Sequence, residues 1–426
     1  MVESINKRGL ALLLFLVLLT MNNVNAKDQI LERKVLSNPG FNFIDVHSTN
    51  LFIDDDSNTF ILIEVWRTDS TKDFLCINNN WIRVDKYGIL LNGFLKDGHF
   101  YLAFQKDEDV VIYNIQEDIK FLCRIKSRIK IGGIPRNIGS YQDRVIPLSN
   151  QNDSYLFLGR YVKLPANPIE SLRTIISGGH GIYYDKPFLA EIQNEKMLKC
   201  RKIRYGGKVD ESFVIKEVAT RKDLIHFLGF RGAEEPETSG PLGFARNTPV
   251  ILHYVGYDFK KKKTTRTHSI CENTPKVDKN KNVKSYYGPL SMDNLEDNVF
   301  VVFSWVQHRS KPRPIPIKDI KSDIYYYQYS DNASGDIERI ADGFMPLVRV
   351  NSLGNVHVLW VNSDGGLVYK VKKNGRWSEE KIILNNLNIY PNITRRYISA
   401  EFDKDNNLNV IFPSNGNLVH AIVKVD

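Results

Sequence analysis

The chain has 426 residues, with 58 Lys and Arg against 49 Asp and Glu, and its formal net charge is +9. Such a balance suits acidic glycans, anionic cell surfaces or nucleic acid alike, but the basic residues are spread along the chain rather than gathered on one helix, which counts against nucleic acid. Beyond the first 26 residues no stretch approaches the roughly 20 consecutive apolar residues a membrane span needs.

The chain opens with MVESINKRG, whose Lys7 and Arg8 precede the uncharged run LALLLFLVLLTM from Leu10 to Met21. A basic segment before a short apolar one has the form of a secretory signal, and Val24 and Ala26 put small side chains at −3 and −1 of a cut after Ala26. The expected mature chain is Lys27 to Asp426, secreted, with a charge of about +8 once Glu3, Lys7 and Arg8 are removed. A single domain is expected over 27–426.

Seven segments then repeat one shape, a polar turn followed by a strand of bulky apolar and aromatic residues. They are Asn58–Trp66, Gly98–Phe104, Asp153–Tyr161, Asp223–Phe230, Asp297–Trp305, Gly354–Val361 and Asn406–Phe412. Weaker strands follow most of them, as in Leu367–Leu384. Units of this kind are the composition of propeller blades, in which small antiparallel sheets pack face to face around an axis. The continuous apolar runs are those of strands buried on both faces and are read as the inner strands. The expected fold is an all-β propeller of seven blades, or six if the first or last unit merges with a neighbour. ILERKVL, Ile30 to Leu36, is expected to close the ring by joining the C-terminal NLVHAIVKV.

The unit from Met345 to Leu384 contains VNSDGGLVY after a strand, and it resembles the repeat of sialidase-like and other Asp-box propellers. In that repeat an inner strand precedes a turn of the form Ser-x-Asp-x-Gly-x-x-Trp. Asn362, Asp364, Gly366 and Tyr369 take those places. The resemblance implies that Asp364 accepts backbone N–H bonds, that Gly366 takes the positive φ and that Tyr369 packs on the blade. It marks a fold and not a catalytic site. Sialidases also carry an Arg-Ile-Pro motif, three arginines clamping a carboxylate and a Tyr/Glu pair; RVIP at Arg144–Pro147 matches that motif only with an inserted residue and in the third unit. Arg67, Arg231 and Arg349 near the core strands, with Glu64, Glu234 and Glu235, are the candidate clamp and acids, and no spacing ties them together.

Other features read as structural. His226 and His357 alternate with buried strand positions, and the tyrosines Tyr325, Tyr326, Tyr327 and Tyr329 would alternate between sheet faces. SGGHG at Ser177–Gly181 follows no strand-to-helix transition and is read as a loop, while KKKKTTRTH at Lys260–His268 is read as a solvated hairpin tip. The four cysteines lack metal-ligand spacing. The order of the units favours disulfides Cys76–Cys123 and Cys200–Cys271 between neighbouring blades, with four free thiols as the alternative. Sequons at Asn152, Asn332 and Asn392 are candidate N-glycosylation sites. The expected function is binding of an extracellular glycan or protein, with no cofactor and no metal; the alternative is a sialidase-like glycoside hydrolase with diverged motifs.

Overall fold

The computed structural model describes residues 30–36, 46–66, 71–106, 109–115, 119–126, 144–148, 153–163, 182–193, 196–205, 213–221, 223–231, 250–273, 276–278, 283–309, 320–330, 335–385, 387 and 397–425. They form an all-β propeller. No described helix is long and apolar enough to cross a membrane.

The strands lie in seven antiparallel sheets. Sheet I holds Val46–Ile53, Thr59–Trp66, Thr71–Ile77 and Asn80–Arg83. Sheet II holds Ile89–Lys96, His99–Lys106, Asp109–Ile115 and Ile119–Lys126. Sheet III holds Arg144–Pro147, Asp153–Lys163, Ile182–Gln193 and Lys196–Lys202, and sheet IV holds Phe213–Arg221, Leu224–Arg231, Val250–Asp258 and Lys263–Asn273. Sheet V runs in the order Lys276–Asp278, Val283–Leu295, Asn298–Arg309, Ile320–Tyr329 and Glu338–Asp342. In sheet VI, Phe344–Val350, Val356–Val361 and Leu367–Lys373 are followed by Arg376–Trp377 and Lys381–Leu384, both paired with Leu367–Lys373.

Sheet VII closes the ring. Ser399–Phe402, Leu408–Ser414 and Asn417–Val423 are completed by Ile30–Leu36, whose register on Asn417–Val423 runs from Ile30 opposite Val423 to Leu36 opposite Leu418. The two strands foreseen for this role therefore pair, and the sheet's C-terminal edge is covered rather than left open. A single apolar cluster continues from sheet VI through sheet VII into sheet I, with Tyr369, Leu359, Leu408, Phe412, Leu36, Val46 and Ile63 all buried in it. The seam is a continuous core.

Each apolar segment found in the sequence lies in a different sheet, but none is the innermost strand. The strands that touch their counterparts in neighbouring sheets are the ones before them, such as Val283–Leu295 against Phe344–Val350 and Val46–Ile53 against Ser399–Phe402. The apolar segments come next outward, where a sheet packs on both sides, and Val356–Val361 and Leu408–Ser414 are buried at every position. Several of the strands before them are more polar, as VHSTNLFI and FVIKEVATR show.

Two turn types space the strands. Asn78-Asn79, Asp97-Gly98, Asn374-Gly375 and Asn415-Gly416 each place two successive residues at positive φ, the requirement of the two-residue turn whose twist suits a hairpin. Asp54, Asn351, Asn362 and Asp403 each start a second, five-residue turn. In all four the side-chain oxygen accepts from the N–H groups two and four residues on, at 2.7 to 3.1 Å. The fourth residue, Ser57, Gly354, Gly365 or Asn406, has positive φ. DDDSN, NSLGN, NSDGG and DKDNN are thus one turn written four ways.

The Asp-box roles need correcting on this geometry. Asn362, not Asp364, accepts the backbone bonds, and Gly365, not Gly366, takes φ +79°. Gly366 is needed for space, since a Cβ there would lie 3.0 Å from the Asn385 carbonyl oxygen. Tyr369 does pack in the core, at 1% exposure.

Both proposed disulfides also fail, because Cys76 and Cys271 are free thiols. The pleat decides it. Cys76 belongs to the core shared with sheets VI and VII, away from sheet II, where Ile119–Lys126 carries Cys123. Cys271 packs toward sheet V, its Sγ 3.0 Å from the Tyr287 hydroxyl, away from sheet III, where Lys196–Lys202 carries Cys200. Burial pushes the Cys76 thiol up to about 11 and raises that of Cys271.

Candidate functional site

Among the described residues, Arg349 is the candidate clamp arginine that lies on an innermost strand, Phe344–Val350 of sheet VI. All three of its side-chain nitrogens are engaged: Nε donates to the Ala400 carbonyl at 2.6 Å and to Glu401 Oε1 at 3.0 Å, Nη1 to the Val348 carbonyl at 2.8 Å, and Nη2 lies 3.0 Å from Glu401 Oε1. Glu401 stands on the innermost strand of sheet VII. Asp293, on that of sheet V, accepts from the Val350 N–H at 2.8 Å and from the Asn294 N–H at 2.8 Å.

Where these inner strands have no further strand to pair with, their edge backbone groups must be satisfied in another way. Neighbouring sheets supply the partners. Ser291 Oγ accepts from Val348, Asp293 from Val350, Ser399 Oγ from Leu51, and Thr49 Oγ1 donates to the Tyr397 carbonyl. Arg349, Glu401 and Asp293 therefore pin sheets V, VI and VII together. Enclosure raises the carboxyls of Glu401 and Asp293, with Arg349 opposing it in both. For Arg349 enclosure opposes the charge, but Glu401, Asp293 and Glu217 outweigh it and hold the guanidinium protonated. A guanidinium so committed is not free to clamp a substrate carboxylate.

Glu64 lies in a different carboxylate group. It is register partner to Ser48 and to Asp73 across sheet I, and Ser48 Oγ donates to Glu64 Oε2 at 3.3 Å. Asp73 is 4% exposed, and its Oδ1 is buried without a hydrogen-bond partner among the described residues. Burial first, then Glu64 and Asp85, push its carboxyl up to about 8, against one backbone bond from Leu90. Asp85 is itself held low by Arg83, whose Nε and Nη2 each lie 2.6 Å from its oxygens. Two carboxylates with separated protonation have the form of an acid/base pair, yet Asp73 is enclosed between sheets I and II.

The remaining expected site residues scatter. Arg231 ends the second strand of sheet IV and lowers His253, which burial, the larger cause, takes down to about 4. His226 is a core histidine, its Nδ1 2.7 Å from the Tyr254 hydroxyl. His357 is fully buried, its ring 4.9 Å from that of Phe402, and neither ring nitrogen has a partner among the described residues. Tyr325, Tyr327 and Tyr329 face sheet IV and Tyr326 faces sheet VI, as alternation requires. The basic run forms a hairpin end, with Asp258 opposite Lys263 and Lys261 paired to Asp258 at 3.3 Å. Arg144 to Pro147 form the first strand of sheet III. Arg67, Glu234, Glu235, Ser177–Gly181, Asn152, Asn332, Asn392 and residues 1–26 lie outside the described residues. Among the described residues, no three His, Cys, Asp or Glu side chains gather as a metal site would need.

A cavity of about 450 Å³ opens between sheets V and VI, at the end where Val283–Leu295 turns into Asn298–Arg309 and Phe344–Val350 into Val356–Val361. That volume is within the about 300 to 1,000 Å³ of ordinary ligand pockets. Phe300, Tyr326, Val356 and Leu353 give it apolar walls, and Leu353, on the tip of the Asn351–Asn355 turn, is 73% exposed. Three side chains form an ordered polar row, in which Tyr326 donates to Gln328 Oε1 at 3.0 Å and Gln328 Nε2 to Asn298 Oδ1 at 3.2 Å. In this arrangement the Asn298 Nδ2 hydrogens and one of Gln328 are left for a guest. Lys372 is held by Glu338 at 2.8 Å and lies over the Tyr326 ring at 4.4 Å and that of Trp377 at 5.2 Å.

Of these residues sequence reading had singled out only Tyr326, and only for packing. The signal that could have found the rest is an amide or acid inside an apolar strand pattern: Gln328 after three tyrosines, Asp293 in LSMDNL, Glu401 in SAEF.

No protein-family model and no curated protein sequence matches the chain. Among solved structures it is similar to a polysaccharide lyase, at 7% identity over 94% of each chain with a TM-score of 0.50. An ulvan lyase is 11% identical over 78% of this chain and 79% of its own, with a TM-score of 0.44. The GH93 α-L-arabinofuranosidase of Fusarium graminearum is 8% identical over 93% of this chain and 98% of its own, with a TM-score of 0.42. At such identities the likeness is one of fold.

Proposed function

We propose that the chain is exported and acts outside the cell as a carbohydrate-binding propeller, with the cavity between sheets V and VI as its sugar site. The observation that carries this reading is the hydrogen-bonded row Tyr326, Gln328, Asn298, which presents amide groups beside an apolar wall. A sugar ring offers hydroxyls along its rim and C–H groups on its faces, so it needs both kinds of surface at once. The glycan-active enzymes among the similar structures support the reading. Binding is preferred to hydrolysis because Arg349 is consumed within the fold and Asp73 is enclosed. Export by way of residues 1–26 and glycosylation at Asn152, Asn332 and Asn392 belong to the same proposal.

A glycan array probed with the full chain tests it, with Gln328→Ala as control. Binding that weakens in the variant is expected. An array with no bound glycan, or one equally bound by the variant, overturns the assignment.

A further inference from the structure

We infer that the cavity between sheets V and VI takes an uncharged, hydroxyl-rich sugar and discriminates against uronic or sulfated counterparts, although the whole chain carries +9. The inference rests on the sugar-binding reading above and deepens it. It follows from where the charges at this one site point.

Lys372 and Glu296 are the charged residues of the lining. Lys372 is not available to an acidic guest. Its ammonium is 2.8 Å from Glu338 Oε2 and lies over two ring faces, and its side chain is only 16% exposed. An acidic guest would have to share this ammonium with the Glu338 carboxylate, which repels it. Glu296 sits at the mouth, exposed, in the turn after Val283–Leu295, and Asp297 follows it.

Lys370, on the same strand face as Lys372, donates to the Ile340 carbonyl at 3.2 Å, lies over the Trp360 ring at 6.0 Å and is not part of the lining, and the next cations along the chain take the other face. Lys373 and Arg376 are register partners, as are Lys372 and Trp377 one step away. Successive residues of a strand face opposite ways, so Lys373 and Arg376 take the face turned from the cavity. Lys373 accordingly acts on His357, which packs against Phe402 of sheet VII. Among the described residues, the charge left unbalanced at the mouth is therefore negative while the protein is basic. Neutral donors and acceptors are what remain for recognition, and the amides of Asn298, Gln328 and Asn374 supply them.

One unpaired carboxylate several ångströms from an anionic guest, in partly solvated surroundings, weakens its binding on the order of tenfold. Isothermal titration of the full chain with cellotriose, xylotriose and arabinobiose, and with trigalacturonate as the acidic probe, reads this directly. Expected are binding of a neutral sugar, binding of the acid about tenfold weaker at low salt, a gap that narrows in Glu296→Gln and at high salt, and loss of the neutral sugar in Gln328→Ala. Equal or tighter binding of the acid that Gln328→Ala still abolishes overturns the selectivity and leaves the sugar site standing. No heat with any sugar overturns both.

Discussion

Asp73 gives the sharpest stability prediction. Its carboxyl, 4% exposed beside Glu64, is pushed up to about 8, whereas in the unfolded chain it titrates near 3.9. Between those values the folded protein holds a proton that the unfolded chain has released. Stability from this group is therefore complete below the unfolded value and falls as pH rises, by about 1.4 kcal/mol per pH unit until the folded value is reached. From pH 5 to pH 8 the loss is about 3 to 4 kcal/mol. Asp73→Asn keeps an oxygen for the Leu90 N–H and cannot ionise, so it removes the loss. Urea unfolding of both proteins at the two pH values is the assay: the variant should gain on the parent by about 3 to 4 kcal/mol more at pH 8 than at pH 5. Glu64→Gln, which removes the second cause of the shift, should reduce the parent's slope in part. A difference between parent and Asp73→Asn that is the same at both pH values would refute the account of this group.

Three further outcomes follow from the packing. His357, fully buried with a pKa lowered to about 3, is neutral in the fold and titrates near 6.5 when unfolded, so its contribution is lost as pH falls below 6.5. Relative to its own value at pH 7, His357→Leu should lose about 2 kcal/mol less than the parent by pH 5 in the same assay; equal losses contradict this. Deleting Ile30–Leu36 uncovers the edge of Asn417–Val423 and removes buried Leu36 from the seam, so light scattering should report association and the melting temperature should drop. A truncated chain as stable and monomeric as the parent argues against closure by this strand. Cys76 and Cys271 should both be alkylated in denaturant without reductant, and Cys76 should resist in the folded protein, while a linked peptide containing either would contradict the free thiols.

The fold was legible where one residue pattern has one physical meaning. Val356–Val361 and Leu408–Ser414 read as doubly buried strands because both their faces are covered. What lay inward of those strands was not legible. Asp293, Glu401 and Arg349 act by meeting edge groups of the neighbouring sheet, and a single strand does not carry that information. The disulfides were misread for want of parity, since equivalent strands in neighbouring sheets place Cys76 on the face turned away from Cys123's sheet. The Asp-box roles fell on the wrong members of the turn, because Asn362 and Gly365 do what Asp364 and Gly366 were expected to do. The cavity joins turns and strands of two sheets, and its members, from Asn298 to Lys372, have no common motif.

A crystal structure with a bound neutral trisaccharide tests the central claim most directly. The account predicts sugar density between sheets V and VI, with a ring face on the Phe300 and Leu353 side and hydroxyls within hydrogen-bond distance of Asn298 and Gln328. Sugar density at another place on the propeller, with this cavity empty, would contradict it.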